Sequence, residues 1–242
     1  MKHSYLFLHG KDSGPNAPIC TMTSLVNSFI NIGELVDYVG YSWGYEQVYS
    51  QPFENVIGEV DAAVDRLKTA GADYIHIVSH SIGGNVALYY ATLRSNFDSL
   101  VLLAPAHSVY SVKMQFLTEW ARRKANALLS AEGYNTSTIE QFIDNDVNDV
   151  LIIDAKATDY LSYMNPTGNA NMVLNIAKIT RPLSVLLISG RNDISQLKII
   201  PNIYNKIDKT SLSKYVITDD THISVSGINN FNEILNWTKS TV

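Results

Sequence analysis

Residues 79–84, Ser79-His80-Ser81-Ile82-Gly83-Gly84, decide the fold because of what flanks them. The run Tyr74-Ile75-His76-Ile77-Val78 before them is short, apolar and β-branched, which reads as a buried strand. After them Val86, Ala87, Tyr89, Tyr90 and Leu93 recur at helical spacing, and Gly83-Gly84 lets that helix approach the strand closely. A serine on so sharp a strand-to-helix turn is lifted out of the sheet. Its hydroxyl sits at the positive end of a helix, and the backbone N–H that follows is free to hold an oxyanion.

This setting resembles the nucleophile elbow of the α/β-hydrolase superfamily, usually written Gly-x-Ser-x-Gly. Ser79 stands where that pattern has its first Gly, a position that needs a small side chain. Working outward, strand-like and helix-like segments alternate, the signature of a parallel sheet with helices on both faces. Tyr5–Leu8 and Leu35–Tyr41 read as strands around a helix marked by Met22, Leu25, Val26 and Phe29. A second helix runs through Val56, Ile57, Val60, Ala63, Val64 and Leu67, and Leu100–Ala104 is another buried strand. The alternation resumes with a strand at Leu183–Ile188, a helix near Ile200–Ile207, a strand at Lys214–Thr218 and a helix through Phe231, Ile234, Leu235 and Trp237.

Between these parts, from His107 to Arg181, about 75 residues show helical periodicity, against the roughly 2–6 residues of an ordinary αβ connection. Val109, Val112, Phe116, Leu117 and Trp120 would share one helical face. Ser137-Thr138-Ile139-Glu140 reads as a capping box for a further helix, and Met172, Val173, Ile176 and Ala177 suggest another. The expected organisation is a hydrolase core over residues 1–106 and 182–242, with residues 107–181 as an inserted helical cap.

A serine hydroxyl is a weak nucleophile near neutral pH and needs a base, which in turn needs an orienting group. Of the six histidines, His3 is near the terminus, His76 lies inside a strand, and His107 opens the insertion. His80 abuts Ser81 and is expected to point away from it, since adjacent side chains diverge on a turn. His222 lies in the loop after the last strand and completes the chain order serine, acid, histidine. The acid should lie beyond the preceding strand, where Ser189-Gly190-Arg191-Asn192-Asp193 supplies Asp193 in the Gly-x-x-Asp turn that the resemblance implies. Asp219 and Asp220 are rivals by position, placed very close to His222 along the chain. His9-Gly10 follows the first strand, as it often does in the superfamily. The resemblance implies that the N–H of Lys11 joins that of Ile82 as the oxyanion hole. No glycine run of the HGGG type follows, which argues against that esterase branch.

What the resemblance implies is hydrolysis of a small to medium apolar carboxylic ester through an acyl-enzyme, with a small-molecule acyl substrate and no cofactor. Thioester, lactone, amide or carbon–carbon cleavage would use the same groups, and a ligand-binding protein on this fold would retain them with little turnover. Dehalogenase and epoxide hydrolase chemistry requires a carboxylate where Ser81 stands. Trp43, Phe116, Trp120, Tyr160 and Tyr163 are candidate apolar walls for the substrate, as are Tyr45, Tyr134, Met164 and Met172.

Composition narrows the alternatives. With 46% hydrophobic and 17% charged residues the chain can bury a large core. A net charge of −5 argues against nucleic acid as a main partner, and Arg122-Arg123-Lys124 reads as a solvated helix face. The single cysteine, Cys20, excludes an intrachain disulfide and a cysteine-built zinc site. Asp144, Asp146, Asn148 and Asp149 suggest a calcium loop, but Asp149 stands where its glycine is needed and Ala155 where its last ligand is needed. His-Glu-x-x-His, P-loop and dinucleotide fingerprints are absent. Tyr5–Leu8 is too short for a secretion leader, and no apolar run approaches the roughly 18 residues of a membrane span. A cytoplasmic location is expected.

Overall fold

The computed structural model describes residues 1–18, 20–105, 116–145, 150–197 and 199–241. His107, Val109 and Val112, and Asp146, Asn148 and Asp149 of the aspartate-rich segment, lie outside the described residues. Strands β1 (His3–Leu8), β2 (Leu35–Asp37), β3 (Tyr74–His80), β4 (Ser99–Leu103), β7 (Val185–Gly190) and β8 (Lys214–Thr218) form one parallel sheet in the order β2-β1-β3-β4-β7-β8. The expected second strand ends early, at Asp37. Beyond it the chain turns off the sheet, because the Tyr41 N–H goes to His9 Nε2 instead of to a neighbouring strand.

Alternate residues of each strand face opposite sides. Tyr5, Phe7, Val78, Val101, Leu103, Leu186 and Ile188 pack with α1 (Thr21–Asn31) and the last helix (Phe231–Ser240). Leu6, Leu8, Ile75, Ile77, Leu100, Leu102, Val185 and Leu187 pack with α2 (Val56–Thr69) and α3 (Ile82–Leu93) on the other side. Because a β-α-β crossover is right-handed, helices on opposite faces mean crossovers that run in opposite directions. The chain leaves β1 toward β2 over one face and returns over β1 to β3 and β4 across the other. The order therefore reverses between β1 and β3, and in open α/β sheets ligands bind beyond the strand carboxyl ends at such a switch point.

Among its described residues, the segment between β4 and β7 contains three helices, α4 (Phe116–Ser130), α5 (Ala157–Met164) and α6 (Met172–Ile176). It is not helical throughout. Where a capping box pointed to a helix, β5 (Ile139–Asn145) and β6 (Val150–Lys156) form an antiparallel hairpin. Phe142 and Asp144 are buried on one strand and Ile153 and Ala155 on the other, an alternation with period two in a β-branched run. The expected inner face of α4 is also corrected. Thr118, Ala121 and Ala125 are its buried residues, because small side chains let the helix lie close to its neighbours, while Phe116 is 82% and Trp120 47% exposed. By contrast α5 and α6 join the main core through Tyr160, Tyr163, Met164, Met172 and Ile176, and Asn85 of α3 donates to the Ala170 carbonyl. Among the described residues no helix is long and apolar enough to cross a membrane.

Candidate active site

Ser81 lies between β3 and α3 with φ 53° and ψ −123°, a backbone conformation that L-residues rarely adopt. Such a geometry stores roughly 1–3 kcal/mol and is kept only where its surroundings impose it. Gly83 and Gly84 supply that constraint. A Cβ at Gly83 would strike the carbonyl oxygens of Leu8 and His9, and one at Gly84 would come within 2.8 Å of Pro105 Cβ. Ser79 is compatible with the turn because its hydroxyl donates to the Val101 carbonyl (2.9 Å), giving a buried polar group a partner.

The structure brings the three expected residues together from three loops. His222 Nε2 is 3.1 Å from Ser81 Oγ, and His222 Nδ1 is 2.7 Å from Asp193 Oδ2. Asp193 and His222 are only 7% and 6% exposed, so the pair is shielded from solvent. A carboxylate on Nδ1 leaves Nε2 facing the hydroxyl, the arrangement in which a histidine can take a proton from a serine. The rivals are occupied elsewhere. Asp219 is 84% exposed and pairs with Arg191 at 3.1 Å. The Asp220 carboxylate accepts from Thr218 Oγ1 (2.7 Å), Ser224 Oγ (3.0 Å) and Asn230 Nδ2 (3.1 Å). Burial raises the Asp220 pKa, but these bonds outweigh it and hold the carboxyl below its ordinary value.

The loop carrying His222 rests on Gly190. A Cβ there would strike the Asp220 carbonyl oxygen and approach that of Thr221, and both acceptors are rigid backbone. Gly190→Ala should therefore lower unfolding free energy by at least about 2 kcal/mol and displace the His222 loop. Gly58→Ala is the control, because nothing lies within 4 Å of a Cβ there and Ala favours the interior of α2. Urea midpoints that fall equally in both variants would refute this role for Gly190.

His9 does not face Ser81. Its Nδ1–H donates to the Gly10 carbonyl (2.9 Å), and its Nε2 accepts from the Tyr41 N–H (3.1 Å). The Trp43 indole N–H donates to the His9 carbonyl (2.8 Å). These bonds hold the turn that contains Gly10 and Lys11. A Cβ on Gly10 would be 3.4 Å from Ser81 Cβ, so this backbone runs directly beside the serine. Ile82 is the first residue of α3, so its N–H has no acceptor within the helix. Burial lowers the pKa of His9 to about 4. Burial and then the His222 charge lower that of His80 to about 3, so both rings are neutral near pH 7.

Of the first five expected walls, three are buried and two are exposed. Trp43, Tyr160 and Tyr163 are fully buried: Trp43 stacks on Tyr41 at 4.5 Å, Tyr160 on Phe142 at 4.5 Å and Tyr163 on Tyr49 at 4.1 Å. They pack in the core, while Phe116 and Trp120 lie on the exposed side of α4. Aromatic side chains in an insertion carry no sequence mark that separates core from pocket. The His80 ring turns toward the His222 backbone, a contact that no local pattern marks. The described residues contain no cluster of histidine, cysteine and carboxylate groups that could hold a metal ion.

No curated protein sequence matches the chain. Among solved structures, a siderophore hydrolase, EstB, from Aspergillus fumigatus aligns with TM-score 0.69 and 13% identity, over 99% of this chain and 91% of that one. A structure reported for the metagenome-derived lipolytic enzymes LipS and LipT gives 0.64 at 15% identity, covering 99% and 92%. A monoacylglycerol lipase from Paleococcus ferrophilus gives 0.59 at 13%, covering 99% and 95%. At these identities the likeness speaks to the fold alone. The family described as serine aminopeptidase, S33, matches residues 37–209. That span is well over half of the chain and includes Ser81 and Asp193, so the protein belongs to this hydrolase family of the α/β-hydrolase superfamily.

Proposed function

We propose that the protein is a serine hydrolase that cleaves a carboxylic ester of a small to medium apolar substrate through an acyl-enzyme intermediate. The observation that carries this reading is the hydrogen-bonded series Ser81 Oγ, His222 Nε2, His222 Nδ1 and Asp193 Oδ2, with steps of 3.1 and 2.7 Å, built on a strained strand-to-helix turn. His222 takes the Ser81 proton as Oγ attacks the acyl carbon, and the Ile82 and Lys11 N–H groups receive the oxyanion. His222 then returns the proton to the departing alcohol. Water, deprotonated by His222, releases the acid and restores Ser81. Each oxyanion donor is worth roughly 3 kcal/mol of barrier.

The choice of an ester over an amide is supported by the names of the three structural neighbours, one a siderophore hydrolase, one lipolytic and one a monoacylglycerol lipase. The family description names an aminopeptidase, whose amide chemistry would use the same groups. We read the insertion between β4 and β7 as a cap over the carboxyl end of the sheet that encloses the acyl group. Each enclosed methylene is worth about 0.8 kcal/mol, or about fourfold in kcat/KM. The test is fluorophosphonate labelling of Ser81, followed by turnover of p-nitrophenyl esters of increasing acyl length beside an aminoacyl anilide. Expected are stoichiometric labelling and a kcat/KM that rises with acyl length, then falls once the pocket is full. Labelling without turnover would indicate a binding protein. A flat profile, or best activity on emulsified long-chain triglyceride, would refute an enclosing cap.

A further inference from the structure

His222 is held at three points, and only two of them belong to the proton-transfer series. The third is His80. Its Nε2 lies 2.8 Å from the His222 carbonyl oxygen, and a carbonyl only accepts, so Nε2 carries the proton and donates. The turn around His222 leaves this carbonyl to His80, since the Val225 N–H goes to the Thr221 carbonyl and the Ser226 N–H to that of Ile223. The two imidazole rings lie 5.1 Å apart at 45°. On its other side the His80 ring meets Gly10, where an added Cβ would be 3.0 Å from His80 Nδ1. His80 is only 8% exposed, and it ends β3 in register with Leu103 of β4, on the rigid centre of the sheet.

We propose that His80 is a positioning residue, its Nε2–H tying the loop that bears His222 to the strand that bears Ser81 so that the base stays in reach of the nucleophile. Adjacent residues of one strand end then fix two atoms of the same histidine: His80 fixes the backbone oxygen and Ser81 faces Nε2. A neutral donor suits the place, because a cation so near would oppose the imidazolium that forms on His222 during turnover. The ring is neutral because it is buried next to another histidine. The inference rests on the proposed roles of Ser81 and His222, and it adds a residue that touches neither substrate nor reacting atoms.

The test compares His80→Leu, which removes the donor while keeping an apolar volume, with His80→Gln, whose side-chain amide can reach the same carbonyl. Expected for His80→Leu is a fall of at least tenfold in kcat and in the rate of fluorophosphonate labelling, with KM nearly unchanged. His80→Gln should recover to within about threefold of the native chain. Native kcat in the Leu variant would overturn the proposal, as would an equal loss in both variants. Should His80→Leu fail to fold, His80→Asn, too short to reach, takes its place with the same expected contrast. The His222 Nδ1 proton, observed by NMR at low field, gives a readout independent of turnover. It should be sharp in the native chain and the Gln variant, and lost or broadened in the Leu variant. If the native chain does not label while this resonance behaves as expected, the proposed hydrolytic role fails and the positioning role stands. If the native chain labels while the Leu variant keeps both the resonance and the rate, the positioning role fails and the hydrolytic role stands.

Discussion

Ser81→Ala is expected to fold as the native chain does and to lose at least about 10⁴-fold in kcat on any acyl substrate, a barrier rise of about 5.5 kcal/mol. The size follows from chemistry. Without Oγ the covalent intermediate cannot form, and only the oxyanion donors and binding contacts remain to assist attack by water. Folding should be spared for a specific reason. The strained backbone at φ 53° is strained for any residue with a Cβ, so Ala neither relieves nor deepens it. The substitution removes only the bond between Oγ and His222 Nε2. Retention of more than about a tenth of kcat, less than 1.4 kcal/mol in barrier, would exclude Ser81 as the nucleophile. A large fall in thermal midpoint would show instead that the hydroxyl is structural.

The strand, turn and helix around Ser81 are readable in sequence because their signals are local. A β-branched run, two glycines and an apolar helical stripe each have one cheap conformation, and all three agree. His222 and Asp193 are readable because a parallel sheet puts every strand's carboxyl end on one edge, so chain order alone narrows the candidates. What escapes the sequence is set by contacts between distant segments. Ser137-Thr138-Ile139-Glu140 has the composition of a helix start, yet Ile143 and Ile152 pair across a hairpin, and tertiary pairing overrides the local preference. Trp43 and Phe116 are equally apolar in sequence, and only packing separates a fully buried ring from one that is 82% exposed. The partners of His80 and Gly190 are backbone oxygens more than 25 residues away, and a carbonyl has no identity in the sequence.

His222→Ala should approach the loss in Ser81→Ala, and the double variant should lose little more, since a nucleophile and its base act as a unit. Asp193→Asn should be severe but milder than either. An Asn amide offers Nδ1 either a weaker acceptor or a donor that demands the opposite tautomer, and with the opposite tautomer Nε2 carries the proton and cannot accept one from Ser81. Its expected fall is about 10²- to 10⁴-fold in kcat, with little change in KM because Asp193 touches His222 and not the substrate. The neighbouring aspartates separate acid from scaffold. Asp219→Asn removes only an exposed pair with Arg191, worth at most about 1 kcal/mol, and should leave turnover intact. Asp220→Asn strips the charge from an acceptor of three hydrogen bonds and should lower unfolding free energy by about 1–3 kcal/mol, with a smaller effect on kcat than Asp193→Asn. Steady-state kinetics and urea unfolding of the three Asn variants therefore give three patterns: a kcat loss for Asp193, a stability loss for Asp220, and neither for Asp219. A larger kcat loss at Asp219 or Asp220 than at Asp193 would overturn the acid assignment, and a double variant of Ser81 and His222 that multiplies the single losses would overturn their action as a pair.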